Sequence, residues 1–204
     1  MSDRHHFQRE TDVSRETLEQ LDTYAALLEK WNPRINLVSR ATLRDLWHRH
    51  FLDSAQLADL IPSGPTIWAD IGSGGGFPGL IVALIRPDTE MTLVESDQRK
   101  AAFLNTVIRA TNAPAKVISR RIEDAAPLNA DVISARALAP LKDLLSLAHQ
   151  HLKPTGNAIF PKGATHAAET KEALEQWAYR CETTPSKTDP DAVLLKIAEI
   201  QRAH

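Results

Sequence analysis

Four glycines fall within five residues of the stretch Asp70-Ile71-Gly72-Ser73-Gly74-Gly75-Gly76-Phe77-Pro78-Gly79, between an apolar strand-like run and an apolar helix-like run. Glycine permits a sharp turn and lets backbone N–H groups come close to a ligand that side chains would hold off. Pro78 suits the first turn of the helix that follows. The free N–H groups and positive dipole end of that helix favour a carboxylate or phosphate as guest. A strand, a glycine turn and a helix in this order commit the chain to an α/β fold with a ligand site on the turn.

The remaining pattern agrees. From residue 66 onward, strands are expected near 66–71, 90–95, 115–119, 131–135, 157–161, 179–184 and 192–198, with helices near 78–86, 98–111, 140–152 and 165–177. This alternation predicts a doubly wound α/β domain. Its early strands are short and apolar without alternation, as in a parallel sheet covered on both faces. Upstream, residues 1–13 are polar and expected to be loose. Ser14 reads as an N-cap for a helix carrying Leu18, Leu21, Ala25, Leu28 and Trp31 and ending before Pro33. A second helix is expected from Thr42, whose Thr42-x-x-Asp45 spacing resembles a capping box, with Leu46, Trp47, Phe51, Ala55 and Ala58 on its apolar face. The Pro62-Ser63-Gly64-Pro65 turn divides a helical extension, 1–62, from the doubly wound domain, 63–204.

At 204 residues and 43% hydrophobic content the chain can bury one sizeable core. Its single cysteine, Cys181, forms no internal disulfide, and no cationic and apolar leader opens the sequence. No apolar run reaches the roughly 20 residues a membrane helix needs. A cytoplasmic, soluble protein is the expectation. The net charge of −2 argues against coating of nucleic acid by bulk electrostatics, yet the charge is uneven. Residues 31–50 carry Arg34, Arg40, Arg44 and Arg49 against Asp45 alone, and 98–122 carry Arg99, Lys100, Arg109, Lys116, Arg120 and Arg121 with no acid. Solvated helix faces or RNA contact would each account for these two segments.

Ligands of open parallel sheets bind at the carboxyl ends of strands, beside the first strand-to-helix turn. Glu95 ends the second strand, where an acceptor-only carboxylate suits two ribose hydroxyls. NAD and S-adenosylmethionine both contain such a ribose, and Gly74-x-Gly76-x-x-Gly79 fits a dinucleotide pattern. Asp70 favours the second ligand, because a carboxylate just before the first glycine suits an ammonium group and would repel a pyrophosphate. Support of neighbouring backbone N–H groups is its alternative role.

The loop, with Trp31-Asn32-x-x-Ile35-Asn36-Leu37, Arg49-His50-Phe51-Leu52-Asp53-Ser54, Ser134-Ala135-Arg136-Ala137 and Lys162-Gly163, closely resembles the RsmG family, also called GidB. The resemblance covers roughly residues 24–177. It implies a class I, Rossmann-like methyltransferase that uses S-adenosylmethionine to methylate N7 of a guanosine in bacterial 16S ribosomal RNA. By this resemblance Gly72 and Phe77 contact the cofactor, Ile122 and Glu123 lie beside its adenine, and Arg136 belongs to the cofactor set, joining Asp70, Gly74 and Glu95 from the reading of the turn and the second strand. His50, Lys100, Arg136 and Lys162 are the expected substrate-side residues, with Asp53 orienting the His50 ring. Pro161, before the Lys-Gly pair, departs from the family pattern.

Guanine N7 carries no proton, so alignment suffices and no catalytic residue is expected. His48-x-His50 and His149-x-His151 suggest zinc, but residues two apart on a helix do not face one another, so no metal is expected. The expected partner is 16S rRNA or the 30S particle, bound by a monomer. An NAD-dependent oxidoreductase and a non-catalytic adenosyl-ligand or RNA-binding module are the alternatives.

Overall fold

The computed structural model describes residues 3–203. The chain opens on α1 (Asp3–Thr11), a segment expected to be loose. Phe7 accounts for the difference, because it is fully buried with its ring edge-on to Trp47 and Phe51, 5.4 and 6.4 Å away. Arg4 adds a two-pronged ion pair to Asp22 at 2.6 and 2.7 Å. Next comes α2 (Arg15–Ile35), capped by Ser14 as predicted. It runs past Pro33 instead of stopping before it. The Asn32 side chain binds Leu37 N, Val38 N and Val38 O just downstream, and Asn36 closes the helix at φ 49°.

The expected second helix is broken into pieces. A four-residue α3 (Arg40–Leu43) is capped by Ser39, not Thr42. A wide π-helical turn (Trp47–Leu52) follows, then α4 (Asp53–Ala55) and a tight turn (Gln56–Leu60). Widening the turn buries His50, Phe51 and Leu52 together, which a regular helix would spread around its axis.

The domain beyond is β1 (Thr66–Ile71), α5 (Gly79–Ile85), β2 (Thr89–Val94), α6 (Gln98–Thr111), β3 (Ala115–Ile118), β4 (Ala130–Ser134), α7 (Leu141–His151), β5 (Leu152–Lys162), α8 (His166–Ala173), β6 (Trp177–Pro185) and β7 (Val193–Arg202). The seven strands are ordered β3-β2-β1-β4-β5-β7-β6. All neighbouring pairs among the first five are parallel, whereas β7 runs antiparallel to β5 and β6.

Alternation along the pleat splits the interior into two cores. Trp68, Leu93, Val132, Ile159 and Leu194 face the layer of α2, α5 and α6, while Ala69, Val94, Ile133, Phe160 and Leu195 face the α7 side. Phe7, Leu21, Leu28 and Phe51 of the N-terminal helices join the first core. Strand order reverses between β1, which continues toward β2, and β4 on its other side. A crevice therefore opens at their carboxyl ends.

Candidate active site

The glycine turn is built by hydrogen bonds that only a bare backbone can reach. Gly72 N and Ser73 N both donate to Val94 O, at 2.8 and 3.1 Å, and Gly76 N and Phe77 N donate to Ser73 O. Gly72, Gly74 and Gly76 have φ of 67°, 55° and 97°, a region costly for other residues. The Phe77–Pro78 peptide is cis, and α5 begins one residue later, at Gly79. Glu95 holds the turn from the side: Oε2 accepts from Gly74 N and Oε1 from Asp97 N, both at 2.8 Å.

Asp70 lies behind this turn. It is fully buried, and in register with it on β4 Ser134 donates its hydroxyl to Asp70 Oδ1 at 2.7 Å. Oδ2 packs against Gly79, at the start of α5. Burial raises the carboxyl to about 6, against which the Ser134 and Ser73 hydroxyls, the Gly79 N–H and Arg136 pull downward.

Two cavities meet over the turn. One, of about 570 Å³, is lined by Gly72, Val94 and Ser96 and by the short turn carrying Ile122 and Glu123. The other, of about 860 Å³, is lined by His50, Asp53, Arg136, Lys162 and Thr188. Leu138 and Ala139, in the loop after β4, belong to both walls. The structure thus brings Gly72, Ile122 and Glu123 to one cavity and His50, Arg136 and Lys162 to the other. Asp70, Gly74, Phe77 and Glu95 shape the turn from behind, and Lys100, on the first turn of α6, lies outside both.

The cations of the larger cavity are committed within the chain. Arg136 Nη1 donates to Asp53 Oδ2 at 3.1 Å and Nη2 lies 2.7 Å from His50 Nδ1, with the guanidinium 5.0 Å from the Phe77 ring centre. Lys162 Nζ donates to Glu169 Oε2 at 2.7 Å and to Ala139 O at 3.0 Å. Asp53 therefore serves Arg136 and not the His50 ring, because the π-helical turn changes which side chains share a face.

A guanidinium only donates, so His50 Nδ1 accepts and its proton sits on Nε2. Burial, aided by Arg136 and Arg49, lowers this histidine to about 3 and keeps it neutral. At the small cavity, the Glu123 carboxyl is drawn down by its own N–H and by Arg121, 3.5 Å away.

Three contributors were not legible in the sequence. Tyr24, buried on α2, donates its hydroxyl to Gly75 O and stacks on Phe77, 5.5 Å between centroids. Thr188, between β6 and β7, donates to Asp53 Oδ1 at 2.8 Å. Asp189 beside it meets Arg49 at 3.2 Å. These contacts join segments far apart in the chain and leave no periodic trace.

The strand order with its antiparallel β7, and a ligand cavity at the switch point, define a class I Rossmann-like methyltransferase fold. Ribosomal protein L11 methylase from Lactobacillus delbrueckii subsp. bulgaricus shares that fold, with a TM-score of 0.58 at 16% identity over 74% of this chain and 77% of that one. The chain belongs to the GidB family, rRNA small subunit methyltransferase G, whose family model matches residues 17–189. A protein named ribosomal RNA small subunit methyltransferase G in Rhodospirillum centenum is 54% identical over 194 residues, 95% of this chain and 89% of its own length. Its namesake in Cereibacter sphaeroides is 52% identical over 190 residues, 91% and 92% of the two. The match extends beyond the 24–177 span that the motifs cover, and nothing in it supports an oxidoreductase or a non-catalytic module. Among the described residues no helix is long and apolar enough to cross a membrane.

Proposed function

We propose that this chain transfers the methyl group of S-adenosylmethionine to N7 of a guanosine in bacterial 16S ribosomal RNA. The observation that carries the choice of acceptor atom is that the titratable side chains lining the larger cavity are engaged within the chain, the carboxylates Asp53, Glu169, Glu172 and Asp189 each in an ion pair. His50 offers Nδ1 to Arg136 and has its pKa lowered to about 3, while Arg136 and Lys162 sit in ion pairs. Such a cavity suits a nucleophile with a free lone pair and no proton to lose.

The smaller cavity fits the donor. Its volume falls in the usual range for small-molecule sites. Ile122 offers an apolar face and the adjoining backbone polar groups for adenine. Glu95, between the cavity residues Val94 and Ser96 and with spare lone pairs on both oxygens, is the ribose-side carboxylate, and Gly72, Gly74 and Phe77 form the turn along the methionine part. Asp70, ionised at neutral pH, supplies negative potential behind the turn for the donor's ammonium. Bound there, S-adenosylmethionine would supply an electrophilic methyl carbon whose leaving group is a neutral thioether.

His50, Arg136 and Lys162 shape the acceptor side. A neutral imidazole suits a product whose base is cationic. The extension at 1–62 forms the outer wall of the acceptor cavity on the domain at 63–204. Lys100, Arg34, Arg40 and Arg44 take RNA phosphates.

The test is mass spectrometry of 16S rRNA from 30S particles of a deletion strain, incubated with the protein and S-adenosylmethionine. One added 7-methylguanosine is expected. An unchanged nucleoside profile, on particles and on naked RNA alike, refutes the proposal.

A further inference from the structure

Leu138 is an apolar side chain left 40% exposed at the junction of the two cavities. Its surroundings hold it there. On one side, Arg136 is fixed by Asp53 and His50. On the other, the Ala139 carbonyl is fixed by Lys162, which is itself anchored by Glu169. Between the two anchors Ala137 adopts φ 52°, a left-handed conformation that costs a non-glycine residue on the order of 1 kcal/mol. The strained turn delivers Leu138 onto the bare face of Gly72: a Cβ built on that glycine would lie 2.6 Å from Leu138 Cδ1. The ion pairs of Arg136 and Lys162 thus hold both ends of the segment that carries this leucine.

We propose that Leu138 is a positioning residue, the apolar wall against which the methyl group of the donor and the face of the acceptor base are brought into line. This rests on the methyl-transfer reading above. A nucleophilic substitution at carbon needs nucleophile, methyl and leaving sulfur collinear, and a wall shared by both cavities confines the approach and keeps water from the sulfonium. A leucine adds no charge beside a base that becomes cationic.

Leu138→Ala and Leu138→Met in the full chain test this, with single-turnover transfer to 30S particles, donor affinity by calorimetry and thermal melting measured on each. Leu138→Ala is expected to slow single-turnover transfer about 100-fold, the scale of an ångström-sized misplacement. Its donor affinity should stay within about 3-fold of the parent, so that the loss falls on kcat and not on the donor KM. Melting should be unchanged, because the side chain is partly exposed, and Leu138→Met, similar in volume, should stay near the parental rate. Parental rates in Leu138→Ala, or a loss matched by an equal loss of donor affinity, would overturn the proposal while the methyl-transfer reading stands. An inert parent would overturn both.

Discussion

Asp70→Asn and His50→Asn should change the pH dependence of stability in opposite directions. Burial raises the Asp70 carboxyl from 3.8 to about 6, so in mildly acid solution the folded chain holds a proton that the unfolded chain releases. That stabilisation is complete below the unfolded value and is lost as pH rises through the folded one. His50 behaves conversely. Burial and then Arg136 lower it from 6.5 to about 3, so here the unfolded chain takes the proton, and stability is lost as pH falls.

Between about pH 4 and pH 6, at 1.36 kcal/mol per unit, each group contributes a change of about 2 kcal/mol, of opposite sign. The two nearly cancel in the parent. Urea unfolding across this window should show Asp70→Asn gaining about 2 kcal/mol more than the parent as pH rises, and His50→Asn gaining about 2 kcal/mol less. Each substitution also adds a constant offset from lost contacts, so the slope is the quantity to read. Parallel curves for all three proteins would refute the assigned burial of both groups.

Glu95→Gln replaces a carboxylate that accepts from two backbone N–H groups with an amide that can accept at only one. It should cost about 1.5–3 kcal/mol of stability and weaken donor binding, and an unchanged melting curve with parental donor affinity would contradict the role given to Glu95. Lys100→Ala should leave donor affinity intact while weakening RNA binding, with the slope of log K against log salt reduced by about 0.7–0.9; a loss of donor affinity would move Lys100 away from the phosphates. Lys162→Met removes the cation from Glu169, which keeps Leu141 N and Thr165 as donors, and frees Ala139 O, so calorimetric melting should report a loss of about 1.5–3 kcal/mol, and an unaltered melting temperature would refute the anchoring role.

The elements most legible in the sequence are those whose burial is local. Helix α6 matches its expected span of 98–111 because Asp97 caps it and Ala101, Leu104 and Val107 repeat at helical spacing. The five inner strands were visible as apolar runs between turn residues. The region 40–60 was misread for a physical reason: its apolar residues fit a helix of regular period, but the packing of Phe51 against Tyr24 and Phe77 favours a widened turn. At the site, the glycines and Glu95 announced themselves by residue type. Arg136 and Lys162 were legible as important but not as paired, since Asp53 and Glu169 acquire their roles only once α4 and α8 are in place.

The loop between β6 and β7 is tied to the N-terminal helices by Thr188 to Asp53, Lys187 to Asp59, and Gln56 to Ser186 and Lys187, across 128 to 135 residues of chain. On a chain made from its N-terminus, these ties to Asp53, Gln56 and Asp59 form only after residues 186–188 have been synthesised. The glycine turn draws on Tyr24, Val94 and Glu95, all synthesised long before. The wall that Thr188 and Asp189 add to the larger cavity is therefore completed after the glycine turn has its partners, so the two cavities are finished at different stages of synthesis.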